Sequence, residues 1–197
     1  GTAFLTSYVF MFCIMMSGLP AQPVPVTIQN TTVIIGETKA SELLEQGFTF
    51  EDKGANSPIT NPKNDHFYYG QLLEIKREDQ SYGFMTLTPT GKDTDQLKNC
   101  VITYYRTPKE AHQLQGISIN HVSLANLKLQ DFQTRKLIDI FEVNPADYSV
   151  AETDSNYILT IQTADYDLWK RYRIEAKFNS DGSIDSYGVR AQHSMWE

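Results

Sequence analysis

The side chains of this sequence with most to offer chemically crowd into residues 165–172. There Asp165, Tyr166, Asp167, Trp169, Lys170, Arg171 and Tyr172 bring aromatic rings and both signs of charge together. Tyrosine, tryptophan and arginine each couple a broad contact area to a polar end, which suits recognition of another protein. Tyr166, Trp169, Arg171 and Tyr172 are therefore the candidate binding residues. The alternative is an ordinary hairpin with cross-strand pairs and a half-buried Trp169. A second cluster, Asn179 to Asp185, alternates oxygen donors around Gly182 in the manner of a calcium loop. A full loop needs further ligands and a closing bidentate glutamate, so a plain hairpin turn is expected there.

Catalytic patterns are lacking. His66, His112, His121 and His193 have none of the H-x-x-x-H or H-x-H spacings that set two imidazoles on one face. Ser, His and Asp are plentiful, but no G-x-S-x-G elbow, phosphate-binding G-x-x-x-x-G-K loop or G-x-G-x-x-G fingerprint occurs. Two cysteines, Cys13 and Cys100, are too few for a disulfide framework and have no clustered partners for zinc. Cys100 leads the apolar run Val101 to Tyr105 and reads as a small buried residue at a strand start. The expectation is a non-enzymatic protein with no catalytic residue, metal or cofactor.

The elements that must position these residues are legible mainly in residues 156–190. Tyr157, Leu159 and Ile161 alternate with polar neighbours, as do Tyr172, Ile174, Ala176 and Phe178, the period-two mark of half-buried antiparallel strands. After the Asp181-Gly182 turn the chain returns from Ile184 as a third strand. The apolar face of this meander needs a cover, and residues 131–141 are the nearest candidate, a helix with Phe132, Leu137, Ile138 and Phe141 on one face.

The first half carries a similar order. Val24, Val26 and Ile28 predict a strand, Asn30 to Thr32 a turn, and Val33 to Ile35 a second strand. Thr38 is the expected N-cap of a short helix bearing Ala40, Leu43 and Leu44, closed by Gly47 in the left-handed region. Residues 51–65 read as loop, strands are expected over 67–76, 82–88 and 100–106, residues 89–99 as a long hairpin connection, and residues 107–115 as a linker with one helical turn. Val26 to Asn30 finds a counterpart in Ile117 to His121, which suggests a tandem repeat with its boundary near Gln115.

With 197 residues, 41% of them hydrophobic, the chain is large enough for a packed core. Its formal charge of −7 and lack of long basic clusters argue against a nucleic-acid partner. Residues 1–36 contain no charged side chain, and residues 3–16 are almost continuously apolar before Pro20 and Pro23. That length falls short of the roughly 20 residues of a full span, but matches the apolar core of an export signal or part of an anchor. Packing of this stretch inside the folded domain is the alternative.

The run VTIQNTTVIIGETKASELLEQGFTFED, followed later by LKNCVITYY, resembles uncharacterised extracytoplasmic and lipoprotein-like proteins of Gram-positive bacteria. The second half, a helix, an Asn-Pro break and a meander ending FNSDGSIDSYGV, resembles the small α/β unit of outer-membrane assembly lipoproteins and of β-lactamase inhibitor protein. What the resemblance implies is an adaptor, sensor or inhibitor built for protein contacts. The expected architecture is α+β: an export or anchor segment at 1–22 and two tandem units at 23–115 and 116–197, each a short helix packed on an antiparallel β-meander. The expected function is that of an extracytoplasmic binding domain, membrane-anchored or secreted, with a protein or cell-envelope ligand. A secreted enzyme inhibitor is the second reading and a small hydrolase the third.

Overall fold

The computed structural model describes residues 22–61, 71–145, 147–162 and 171–192. The apolar stretch 3–16 lies outside the described residues, as do Tyr166 and Trp169. Up to residue 115 the elements are β1 (Pro25–Ile28), β2 (Thr31–Ile34), α1 (Ala40–Glu45), β3 (Thr49–Phe50), β4 (Pro58–Thr60), β5 (Leu73–Arg77), β6 (Gln80–Thr88), β7 (Thr94–Gln96) and β8 (Val101–Arg106). Then come β9 (Ile117–Ile119), β10 (Val122–Ser123), α2 (Leu129–Thr134), α3 (Leu137–Ile140), β11 (Asp147–Glu152), β12 (Asn156–Gln162), β13 (Arg171–Phe178) and β14 (Ile184–Gln192). The protein is β-rich and its strand pairs are antiparallel, where a more even α+β balance was expected. The described α-helices do not exceed six residues.

Three sheets form: a large one in the order β11-β12-β13-β14-β8-β6-β5-β3, a smaller β10-β9-β1-β2, and the pair β4-β7. Both larger sheets run across the expected boundary near Gln115. In the large sheet β14 pairs with β8, Val189 opposite Tyr105; in the smaller one β1 pairs with β9, Val26 opposite Ile119. Tight turns set the smaller sheet's register. Gln29-Asn30 and Asn120-His121 both have two consecutive positive φ angles, the signature of type I′ hairpins whose twist matches that of the strands. The Asn120 amide also donates to the carbonyl oxygens of Phe141 and Glu142, at 2.8 and 3.2 Å, tying that turn to the end of α3.

One apolar cluster joins the sheets and helices. Val26, Ile28, Ile117 and Ile119 of the smaller sheet, Leu43 of α1, and Ile75, Met85, Leu159 and Val189 of the large sheet are all fully buried within it. Phe132 of α2 lies against Tyr157, Phe178 and Tyr187, with ring centroids 5.3, 5.2 and 6.1 Å away. The single helix expected over 131–141 is broken at Arg135, whose backbone is extended. Nor would these residues share one face of a single helix, contrary to expectation: at 100° per residue an unbroken helix sets Phe132 and Leu137 about 140° apart and Phe132 and Phe141 on opposite sides. The break lets all three be buried, with the two phenylalanine rings 6.0 Å apart.

Other expectations change for local reasons. Lys39, not Thr38, caps α1, its N–H donating to Glu42 Oε2 at 2.8 Å. Thr38 is held in a strand-like docking on β8, accepting from the Ile102 N–H through its carbonyl and from the Ile34 N–H through its hydroxyl. Gly47 ends the helix at φ +87°, as its lack of a Cβ allows. The segments expected as a loop and a long connection meet in the β4–β7 pair.

Candidate functional site

Alternation along β13 divides its side chains between two environments. Tyr172, Ile174, Ala176 and Phe178 enter the core, while Arg171, Arg173, Glu175 and Lys177 project from the opposite face of the sheet. Tyr172 is only 1% exposed. Burial, with a smaller contribution from the Glu37 carboxylate, pushes its phenol up to about 12. Of the expected binding residues, Tyr166 and Trp169 lie outside the described residues, Arg171 stands on the outer face, and Tyr172 points the other way. Tyr172 and Arg171 therefore do not share a surface, because neighbours along a strand take opposite faces.

Register across the sheet gathers further residues beside Arg171. Arg173 is directly opposite Thr160 on β12 and Arg190 on β14; Arg190 in turn faces Tyr104 on β8, and Tyr104 faces Thr86 on β6. The next row runs Ile158, Glu175, Gly188, Arg106 and Phe84. Arg171, opposite Gln192, begins the row on the other side. Four of the six arginines in the chain thus stand on one face of one sheet.

Aromatic rings hold two of these cations. The Arg106 guanidinium carbon lies 4.9 Å from the centroid of the Phe84 ring, and that of Arg190 lies 5.5 Å from the Tyr104 ring. Such stacking keeps a planar guanidinium extended; Arg106 and Arg173 are half-buried, while Arg190 is only 5% exposed. Among the described residues Glu175, 3.4 Å from Lys177, is a carboxylate in the midst of the cluster. At the β6–β8 end the buried hydroxyls of Thr88 and Thr103 lie 2.8 Å apart, and Thr103 donates to the Thr86 carbonyl oxygen at 3.4 Å, so these hydroxyls serve the strand pair.

The chemistry this face supports is recognition of anions. Arginine presents paired N–H groups that match a carboxylate or phosphate, and here several stand on one face of a sheet in a protein whose net charge is −7. Among the described residues no group of three His, Cys, Asp or Glu side chains is arranged to hold a metal ion. At the Asn179 to Asp185 turn, Asp181 accepts the Ser183 N–H at 2.9 Å and Asn179 donates to Ser183 Oγ and the Ile184 carbonyl oxygen. Its oxygen donors are engaged in making the hairpin. Cys100 is fully buried and donates to the Gln96 carbonyl oxygen at 3.4 Å; burial, aided by the Asp95 carboxylate, pushes its thiol up to about 12. A thiol so placed is a poor nucleophile.

Arg106, Arg190 and Tyr104 were not among the residues singled out from sequence. The available signal was weak: arginines at Arg171 and Arg173, two apart on a strand, and a tyrosine and an arginine two apart at Tyr104 and Arg106.

What the fold and this face define is a β-rich, antiparallel protein with an arginine-bearing sheet surface. In comparisons with known protein families, with curated proteins and with solved structures, the chain matches none. No described helix is long and apolar enough to cross a membrane.

Proposed function

We propose that this chain is a non-catalytic binding module whose arginine-bearing sheet face receives an acidic segment of a protein partner. The observation that carries this reading is the convergence of Arg106, Arg171, Arg173 and Arg190 on one face. A rigid sheet fixes their spacing in advance, which lowers the ordering cost of binding. The module works outside the cytoplasm, exported or tethered through the apolar stretch 3–16, whose composition suits an export or anchor segment.

The two halves, 23–115 and 116–197, are tandem units in this reading. Support comes from strand order: β3, β5, β6 and β8 run from one edge of the large sheet, β11, β12, β13 and β14 from the other, and they meet at β8–β14. The hairpins β1–β2 and β9–β10 meet at β1–β9 in the same way. The arginine face then straddles the junction between the units.

Affinity capture from envelope and culture-supernatant fractions of the source cells tests the reading. The full chain serves as bait beside an Arg171→Glu/Arg173→Glu variant that unfolds at the same temperature. An acidic protein retained by the first and lost by the second is the expected result. Retention by both baits, or by neither, removes the arginine face from the account. A stoichiometric complex with a hydrolase would make the partner an enzyme and the module its inhibitor.

A further inference from the structure

We propose that the cleft between β8, β13 and the start of β14 is an oxyanion subsite that anchors one carboxylate of the bound acidic segment. This deepens the proposed function and rests on it. Tyr104, Arg106, Lys109, Lys177, Asp185 and Ser186 line a cavity of about 190 Å3.

The absence of a side chain on Gly188 shapes it. Gly188 lies directly opposite Arg106, and the Tyr104 ring leans across it, so closely that a Cβ there would stand 3.1 Å from the phenolic oxygen. That hydroxyl is thereby carried into the cleft. The Arg106 guanidinium is held from one side by Phe84 at 4.9 Å, and its Nε is buried without a hydrogen-bond partner. A buried, unpaired N–H on a cation costs stability that an incoming oxygen would restore. Lys177, opposite Ser186 on the paired strand, and the exposed Lys109 add two ammonium groups.

Charge in the lining favours an anion. Three cations, Arg106, Lys109 and Lys177, face one carboxylate, Asp185, which accepts a hydrogen bond from the Ser186 hydroxyl at 3.3 Å. Glu175, 3.4 Å from Lys177 and opposite Gly188, is a second carboxylate beside the lining, and the three cations still exceed the two carboxylates. The volume exceeds that of a few waters but is below the roughly 300 Å3 at which drug-sized ligand pockets begin. It suits one carboxylate or phosphate group. The shared chemistry is a compact oxyanion with two or three acceptor oxygens, supplied by an acidic side chain of the partner or by a free ion.

Titration of the full chain at low salt, followed through the backbone amides of Lys177, Ser186 and Gly188 by NMR, separates these sources. The probes are inorganic phosphate, a hexaglutamate peptide and a hexaglutamine control. Saturable shifts with phosphate and hexaglutamate, absent with hexaglutamine, are expected. Arg106→Gln and Lys177→Gln should each weaken both by about tenfold or more, and Arg106→Lys by less. Because Arg106 also packs on Phe84, Lys177→Gln provides the variant that leaves that packing in place.

Phosphate binding at these amides without peptide binding would overturn the carboxylate anchor and make the ligand a free ion. Peptide binding that survives both Gln variants but is lost in Arg171→Glu/Arg173→Glu would sink the cleft and leave the arginine face standing. Silence of these amides toward every probe overturns the subsite outright.

Discussion

Tyr104 lies across the backbone of Gly188: a Cβ on that glycine would stand 3.1 Å from the Tyr104 hydroxyl oxygen and 3.4 Å from its Cε2. A methyl group there requires the ring to yield by a few tenths of an ångström, and the ring is itself packed against the Arg190 guanidinium, which resists that shift. Gly188→Ala is therefore expected to cost about 1–3 kcal/mol, the usual range for overpacking. Urea unfolding measures this directly. Wild-type stability in the variant would show that the ring moves aside freely.

Tyr187 is fully buried among Phe132 and Phe178, and its hydroxyl has no hydrogen-bond partner. Burial, with the Asp131 carboxylate adding to it, pushes its ionisation well above the ordinary tyrosine range. Removing the oxygen removes a desolvated polar group while keeping the ring in place. Tyr187→Phe should be neutral or stabilising by about 1–2 kcal/mol, where most buried substitutions destabilise. A loss of stability on removing this hydroxyl would mean that it has a partner in solution.

Alkaline conditions should unfold this protein. The thiol of Cys100 and the phenol of Tyr172 are both raised to about 12, from ordinary values of 9.0 and 10.0, because their charged forms are disfavoured in the core. The folded state holds these protons more tightly than the unfolded state does. Their contribution is fully present below about pH 9 and is lost as pH rises toward 12, at about 1.4 kcal/mol per pH unit for each group while it titrates. Thermal melts at pH 8 and pH 11 should show the drop. In a Cys13→Ser variant, the remaining thiol should react with Ellman's reagent only as the protein unfolds; rapid reaction at pH 8 in the folded state would contradict its burial.

Strand β11 forms one edge of the large sheet and carries two exposed apolar side chains, Tyr148 at 42% and Val150 at 44%. An edge strand with apolar side chains invites pairing with another chain, and a lysine there opposes it. Tyr148→Lys/Val150→Lys should lower light scattering on prolonged incubation, with stability changed by no more than about 0.5 kcal/mol per site. Unchanged scattering would place the source of self-association elsewhere.

Much of the fold lies on the surface of the sequence wherever a side chain's fate depends on its near neighbours. The alternation of Tyr172, Ile174, Ala176 and Phe178 predicts both the strand and the face it buries, and Gly47 marks the end of α1 where a left-handed residue is needed. Strand β11 was missed because its apolar alternation is only two residues long, Tyr148 and Val150, and buries nothing; the β4–β7 pair was missed because three residues are too few to show a period. The period-two pattern also predicted that Tyr172 is apolar-facing, which its place among the candidate binding residues did not respect.

By itself the sequence determined strand periodicity, turn chemistry and the excess of negative charge, since each depends on residues a few positions apart. Tertiary structure alone decided that β8 lies beside β14, and so that Arg106 meets Gly188 and Tyr104 meets Arg190, more than eighty residues away along the chain. Local pattern tells which face a side chain takes within its own strand, but it holds no information on which distant strand will lie alongside. That choice belongs to the packing of the whole core, and it is what brings scattered arginines to one face of a sheet.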